Sequence, residues 1–153
     1  MQKITPFLWF DGNAEEAANF YVSLFEDSNV LNVSRGPDGK AFMVTFQLAG
    51  QEYYALNGGP HYSLTPAFSL FVHCKTQEEV NHYWETLCAN GGQESRCGWL
   101  VDKFGLSWQI IPDALGELMG DPDPEKAGRV MQAMLQMNKL DIAALRRAYD
   151  PSA

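Results

Sequence analysis

The sequence predicts an α+β fold: two tandem βαβββ modules followed by a helical C-terminal tail. Three observations carry this. A segment with helical periodicity recurs, without a gap, 63 residues further on. An apolar, aromatic-rich strand precedes each copy, and short strands separated by glycine turns follow it. The expected boundaries are 1–60 for the first module, 61–112 for the second and 113–153 for the extension, within one structural domain overall.

The first strand is ITPFLWF (4–10) and its counterpart is AFSLFVHC (67–74). Between LWFDGNAEEAANFYVSLF (8–25) and FVHCKTQEEVNHYWETLC (71–88), Glu15 and Glu16 fall on Glu78 and Glu79. Phe20 and Tyr21 fall on Tyr83 and Trp84, and Leu24 on Leu87. Each copy has a capping-box pattern, Asn13 with Glu16 and Thr76 with Glu79. Ala17, Phe20, Tyr21, Leu24 and Phe25 then recur at helical spacing, as do Val80, Tyr83, Trp84, Leu87 and Cys88, so both helices are expected to bury one face. NVLNVSRG, AFMVTFQL and QEYYALN complete the first module, with PDGK (37–40) and AGQ (49–51) as turns. GGQESR, CGWLV and LSWQII complete the second.

In the tail, Met131, Met134, Leu135 and Met137 form a helical stripe, which reads as packing because thioethers fill irregular gaps. Asp141 is positioned to cap a last helix bearing Ile142, Leu145 and Tyr149. Two or three helices are expected there, covering the sheet or a neighbouring subunit.

Composition narrows the function classes. A chain of 153 residues, 46% hydrophobic, can bury a real core. Net charge is −8 with no block of Lys or Arg, so nucleic acid is not an expected partner. No apolar run reaches the roughly 18–20 residues that span a bilayer. MQKITPFLWFDG has no signal-peptide pattern, so the expectation is a cytoplasmic, bacterial-type protein with no membrane partner. Cys74, Cys88 and Cys97 are odd in number and lack CxxC spacing, which points to neither a disulfide framework nor a zinc ribbon.

Two tandem βαβββ modules resemble the vicinal oxygen chelate superfamily, which includes glyoxalase I, extradiol dioxygenases and the bleomycin- and fosfomycin-resistance proteins. More narrowly, "ITPFLWFDGNAEEAANFY", "ALNGGP", "CGWLVDKFG" and "SWQIIP" are similar to the PhnB-like family, often described as 3-demethylubiquinone-9 3-methyltransferase. The resemblance implies a cupped mixed sheet holding a small organic ligand, usually completed in a homodimer, and no single reaction. In metal-dependent relatives the first and last strands of each module supply His, Glu or Gln to a divalent ion that acts as a Lewis acid. The equivalent slots here read Pro6, Tyr54, Ser69 and Gln109. Proline offers no side-chain donor, and neutral hydroxyls beside one amide are poor ligands. Neither a metal nor any other cofactor is expected.

The candidate ligand-binding residues are Tyr54, Asn57, Ser69, Phe71, Trp99 and Gln109. Gln109 is either a pocket amide or a structural one; alternation puts Ser107 and Ile111 on its face and Trp108 and Ile110 on the other. Ser69, Phe71 and His73 share a face of the matching strand. Asn57 opens an NGGP turn whose glycines let backbone N–H groups approach an anion, though no GxGxxG is present. Trp99 reads as a stacking platform or as core. His73 is a candidate acid or base, or a satisfied strand-end histidine. Cys97 is a candidate nucleophile if His73 lies beside it, or a small buried hydrophobe. Asp102 and Lys103 read as solvent-facing turn residues, with Asp102 also able to accept loop N–H groups. The leading expectation is a metal-free protein that sequesters or carries a small molecule. The alternatives are an enzyme using His73, Cys97 or a metal held elsewhere, and a protein whose cup is filled by its own side chains. A methyltransferase in name only is a further alternative, because a Rossmann methyl-donor site needs strands alternating with helices.

Overall fold

The computed structural model describes residues 2–152. The chain divides into two compact units, one ending at Leu64 and the other starting at Thr65. Each unit contains one βαβββ module, as the repeat predicts.

In the first unit β1 (Phe7–Phe10) leads to α1 (Ala14–Val22), then β2 (Asn29–Arg35), β3 (Ala41–Leu48) and β4 (Gln51–Asn57). The sheet order is β1-β4-β3-β2, with β1 parallel to β4 and the other neighbours antiparallel. Alternation sorts the strand residues. Leu8, Phe10, Val44, Phe46, Tyr53 and Ala55 are buried on the helix side. Phe46 stacks on Tyr53 at 5.3 Å between ring centroids and also meets Tyr21 of α1. Ala14, Ala17 and Ala18 are fully covered, and their small side chains let α1 lie close to the sheet. Phe7, Trp9, Tyr54 and Leu56 point the other way, and Phe7 stays exposed.

The second unit repeats the plan with β5 (Ser69–Cys74), α2 (Gln77–Cys88), β6 (Gln93–Glu94), β7 (Trp99–Val101) and β8 (Ser107–Pro112), ordered β5-β8-β7-β6. Val80, Trp84 and Leu87 of α2 are buried, as are Leu100, Leu106, Trp108 and Ile110. Each large side chain so covered contributes about 1.5–3 kcal/mol. The tail forms α3 (Asp113–Met119), α4 (Pro124–Met134) and α5 (Ile142–Tyr149). Leu115, Leu118, Val130, Leu140 and Leu145 cluster with Ile111 at the end of β8, so the tail packs on its own module. Asp141 accepts from the Ala144 N–H, as the sequence predicts.

Several details differ from the sequence reading. Asn13 makes no side-chain cap; the first N–H of α1, at Ala14, donates instead to Asn57 Oδ1 at 2.8 Å. Thr76 does cap α2, accepting from Glu79 N–H at 3.2 Å. α1 stops at Val22, short of Leu24 and Phe25. Of the tail stripe, Met134 and Met137 pack against the cluster, whereas Met131 and Leu135 are exposed; the fully buried residue is Val130. Asp102 is buried rather than solvent-facing. The repeat is also not gap-free throughout. It holds at 63 residues in the helices, where Ala17 and Tyr21 match Val80 and Trp84 in burial. The strands align at 64: Phe10 and Cys74 are the buried last residues of β1 and β5, and Phe7 and Phe71 are both exposed. Asp11 and Gly12 separate β1 from Asn13, while Lys75 alone separates β5 from Thr76. Gly12 takes up the extra residue at φ +88°, a conformation glycine adopts without strain.

Candidate functional site

Gln109 owes its position to the turn before it. Asp102, 3% exposed, accepts from the backbone N–H groups of Phe104 and Leu106 through Oδ1 and from Trp108 Nε1 through Oδ2. Gly105 adopts φ +91° and donates its N–H to the Asp102 carbonyl. The spacing of Asp102, Gly105 and Gln109 is thus a device that closes the β7–β8 hairpin and sets its register. That register puts Gln109 directly opposite Trp99 on β7 and Phe71 on β5.

Four of the predicted site residues therefore meet on one sheet face, turned away from α2. Gln109 Nε2 donates to Ser69 Oγ at 3.0 Å. Phe71 is exposed, and Trp99 is half-buried. Ser107 pairs with Ser69 in the parallel register, so their side chains are neighbours. His73 lies two residues along β5, its ring 4.7 Å from that of Phe71 and its Nδ1 3.9 Å from Asp113 Oδ1. Phe71, His73, Ile111, Asp113, Gly116 and Glu117 line a shallow cavity of about 360 Å³. Asp113 and Glu117 lie in the tail, beyond the repeat, where no motif in the sequence marks them.

Tyr54 and Asn57 belong to the first unit. Tyr54 has Phe7 beside it in an edge contact at 6.1 Å and pairs with Thr45 across β3. Phe7–Tyr54 and Phe71–Gln109 are equivalent register pairs, which makes Tyr54 the counterpart of Gln109. The 64-residue strand offset makes Thr5, not Pro6, the counterpart of Ser69. Pro6 contributes its carbonyl to Tyr54 N–H. Asn57 spends its amide inside the unit, accepting from Ala14 N–H and donating to the Ala41 carbonyl. The NGGP turn it opens seats Trp9, whose Nε1 donates to the Gly59 carbonyl and whose ring meets Tyr62 edge-on at 5.0 Å. A larger open cleft, about 710 Å³, lies between the start of α1 and the β2–β3 turn. Asn57 borders it, as does the Arg35–Glu15 ion pair at 2.7 Å.

The donor chemistry does not fit a metal. Thr5 or Pro6, Tyr54, Ser69 and Gln109 supply no imidazole, thiolate or carboxylate. Among the described residues, no group of three or more His, Cys, Asp or Glu side chains is gathered as ligands would be. Two of the three thiols are held in the protonated form. Burial, with Glu79 and Asp113 adding to it, pushes the Cys74 thiol up to about 12; burial and Glu94 push Cys88 up to about 11. Cys97 is half-buried in a left-handed conformation, φ +61°, with its N–H on the Met137 carbonyl. Among the described residues His73 meets Phe71 and Asp113, and no hydrogen bond joins it to Cys97.

Paired βαβββ units of this order, each with one helix against a four-stranded sheet, define the fold of the vicinal oxygen chelate superfamily. The chain belongs to the PhnB-like family described as 3-demethylubiquinone-9 3-methyltransferase, whose model matches residues 2–111. PhnB from Bacillus cereus, a proposed 3-demethylubiquinone-9 3-methyltransferase, is 38% identical over 72% of this chain and 99% of its own, with a TM-score of 0.68. Two structures share the fold at 16% identity. PA1353 from Pseudomonas aeruginosa aligns over 73% of this chain and 98% of its own, with a TM-score of 0.60. The fosfomycin resistance protein FosX from Listeria monocytogenes aligns over 76% and 94%, with a TM-score of 0.55. No curated protein matches the chain. The family match stops at Ile111, so all three tail helices lie outside it.

Proposed function

We propose that this protein binds a small organic molecule without a metal, as a sequestering or carrier protein, and works as a homodimer. The observation that carries this reading is the neutral donor set at the family's ligand positions. Gln109, flanked by Phe71 and Trp99 on the neighbouring strands, is hydrogen-bonded to Ser69, where an ion-binding relative would need charged or imidazole donors. The family's methyltransferase description finds no support in the fold, since β2, β3 and β4 follow one another without intervening helices. The homodimer is supported by large apolar side chains left exposed on the chain, Ile4, Phe7, Leu31, Tyr62, Phe68 and Phe71 among them.

Two measurements test the reading. In a thermal-shift screen of small aromatic and anionic compounds, ligands should raise the midpoint of the natural chain, and Gln109→Ala should abolish the shift without lowering the unliganded midpoint much. Offered Zn, Ni, Mn and Fe(II), the purified chain should stay well below one metal per chain; stoichiometric uptake sinks the metal-free reading.

A further inference from the structure

We infer that the face around Gln109 selects an uncharged ring compound, whose carbonyl or hydroxyl oxygen is held by Ser107 together with Ser69 and Gln109. This deepens the binding reading above and rests on it. Ser107 is 1% exposed, and its Oγ is a buried side-chain oxygen with no hydrogen-bond partner. A hydroxyl withdrawn from water without a partner is costly, and alanine in the same strand would avoid that cost. The position of this orphan gives it a use. Ser107 is the register partner of Ser69, and both lie on the face that carries Gln109.

Counting hydrogens defines what this trio accepts. Gln109 spends one amide N–H on Ser69 Oγ, which leaves its second N–H and its Oε1. Ser69 keeps its own O–H to donate, and Ser107 keeps both donor and acceptor capacity. A carbonyl oxygen can take the two hydroxyl protons, and a ligand hydroxyl can donate to Gln109 Oε1. Charge narrows the class further. Ser69, Phe71, Trp99, Val101, Ser107 and Gln109 carry no charge on this face. The adjoining titratable group on β5, His73, has Asp113 beside it. A carboxylate or phosphate would lose its water beside Ser69, Ser107 and Gln109 without gaining a counter-charge, and the carboxylates that could pair an ammonium, Asp113 and Glu117, line the cavity on the other side of Phe71 rather than the trio itself. A flat neutral ring instead gains contact with Phe71 and Trp99.

The test uses the full-length chain, Ser107→Ala and Gln109→Ala, titrated with two probes of matched shape. 2-Hydroxyacetophenone is neutral at pH 7.5; salicylate carries a carboxylate in place of the acetyl group. Binding is followed by tryptophan fluorescence and ligand-observed NMR. The expected result is saturable binding of 2-hydroxyacetophenone and at least tenfold weaker binding of salicylate. Ser107→Ala should weaken the neutral probe about five- to tenfold, the effect of one lost hydrogen bond, while its unliganded thermal midpoint holds or rises. A Ser107 that is idle in binding gives the second change without the first, and a structural Ser107 lowers the midpoint; either result overturns the inference. Salicylate binding as tightly as the ketone also overturns it. If neither probe binds but the broader screen yields a charged ligand lost in Gln109→Ala, the inference falls and the binding reading stands. If probes and screen both fail, both fall.

Discussion

Asn57 comes from a turn motif that reads as an anion cradle, yet its side chain joins three elements: it ends β4, receives the first N–H of α1 and donates to Ala41 on β3. Asn57→Ala is therefore expected to cost about 1–2 kcal/mol in a denaturant titration. Asp102 carries more, because three N–H groups converge on one buried carboxylate. Asp102→Ala should destabilise by about 3 kcal/mol and broaden the NMR signals of residues 99–109. The buried thiols give a pH dependence whose sign follows from their environment. Cys74 has an ordinary value of 9.0 and is pushed up to about 12 in the fold, first by burial and then by Glu79 and Asp113. Folding thus favours the protonated thiol. That stability is fully present below pH 9 and is lost as pH rises from 9 towards 12. Urea midpoints measured from pH 8 to 10.5 should fall, and Cys74→Ala should flatten the decline.

Helices and strands differ in how openly the sequence announces them. The α2 cap is local, so Thr76 with Glu79 could be read directly. The α1 cap comes from 43 residues away, and no pattern around Asn13 could disclose that. Alternation groups Ser69, Phe71 and His73 along β5 and Ser107, Gln109 and Ile111 along β8, and it is legible because a period of two survives any change in partner. Exact register was less legible: a single extra residue at Gly12 shifts β1 against its helix and moves the slot from Pro6 to Thr5. The orphan state of Ser107 depends on what surrounds it in space, so the sequence carries no sign of it. The loop before β7 holds the tail. Cys97 and Gly98 donate their N–H groups to the Met137 and Asn138 carbonyls, and Gln77 bonds both the Leu140 carbonyl and the Ile142 N–H. A Cβ on Gly98 would stand 2.7 Å from Ile111 Cδ1 and 3.1 Å from the Ile110 carbonyl, at φ +86°. Gly98→Ala should loosen α3–α5, raising amide exchange at Leu140 and Leu145 well above that of the first module.

For the molecule as a whole, the two modules share a plan but divide its chemistry. The first carries tyrosine and threonine where the second carries glutamine and serine, and only the second bears the tail. No helix among the described residues is long and apolar enough to cross a membrane. The exposed aromatics on the chain lead to a further expected outcome: light scattering at micromolar concentration should give twice 17.1 kDa. Phe7→Asp combined with Phe71→Asp should return the mass to that of one chain.

The asymmetry of the two caps bears on how the chain acquires its structure during synthesis. Thr76 and Glu79 leave the ribosome almost together, so α2 can close its first turn as soon as it emerges. α1 is made earlier but must wait for Asn57, after three strands have followed it out. The helix that comes first in the chain is thus completed by the last strand of its own module, and the second helix, translated later, needs no such delay.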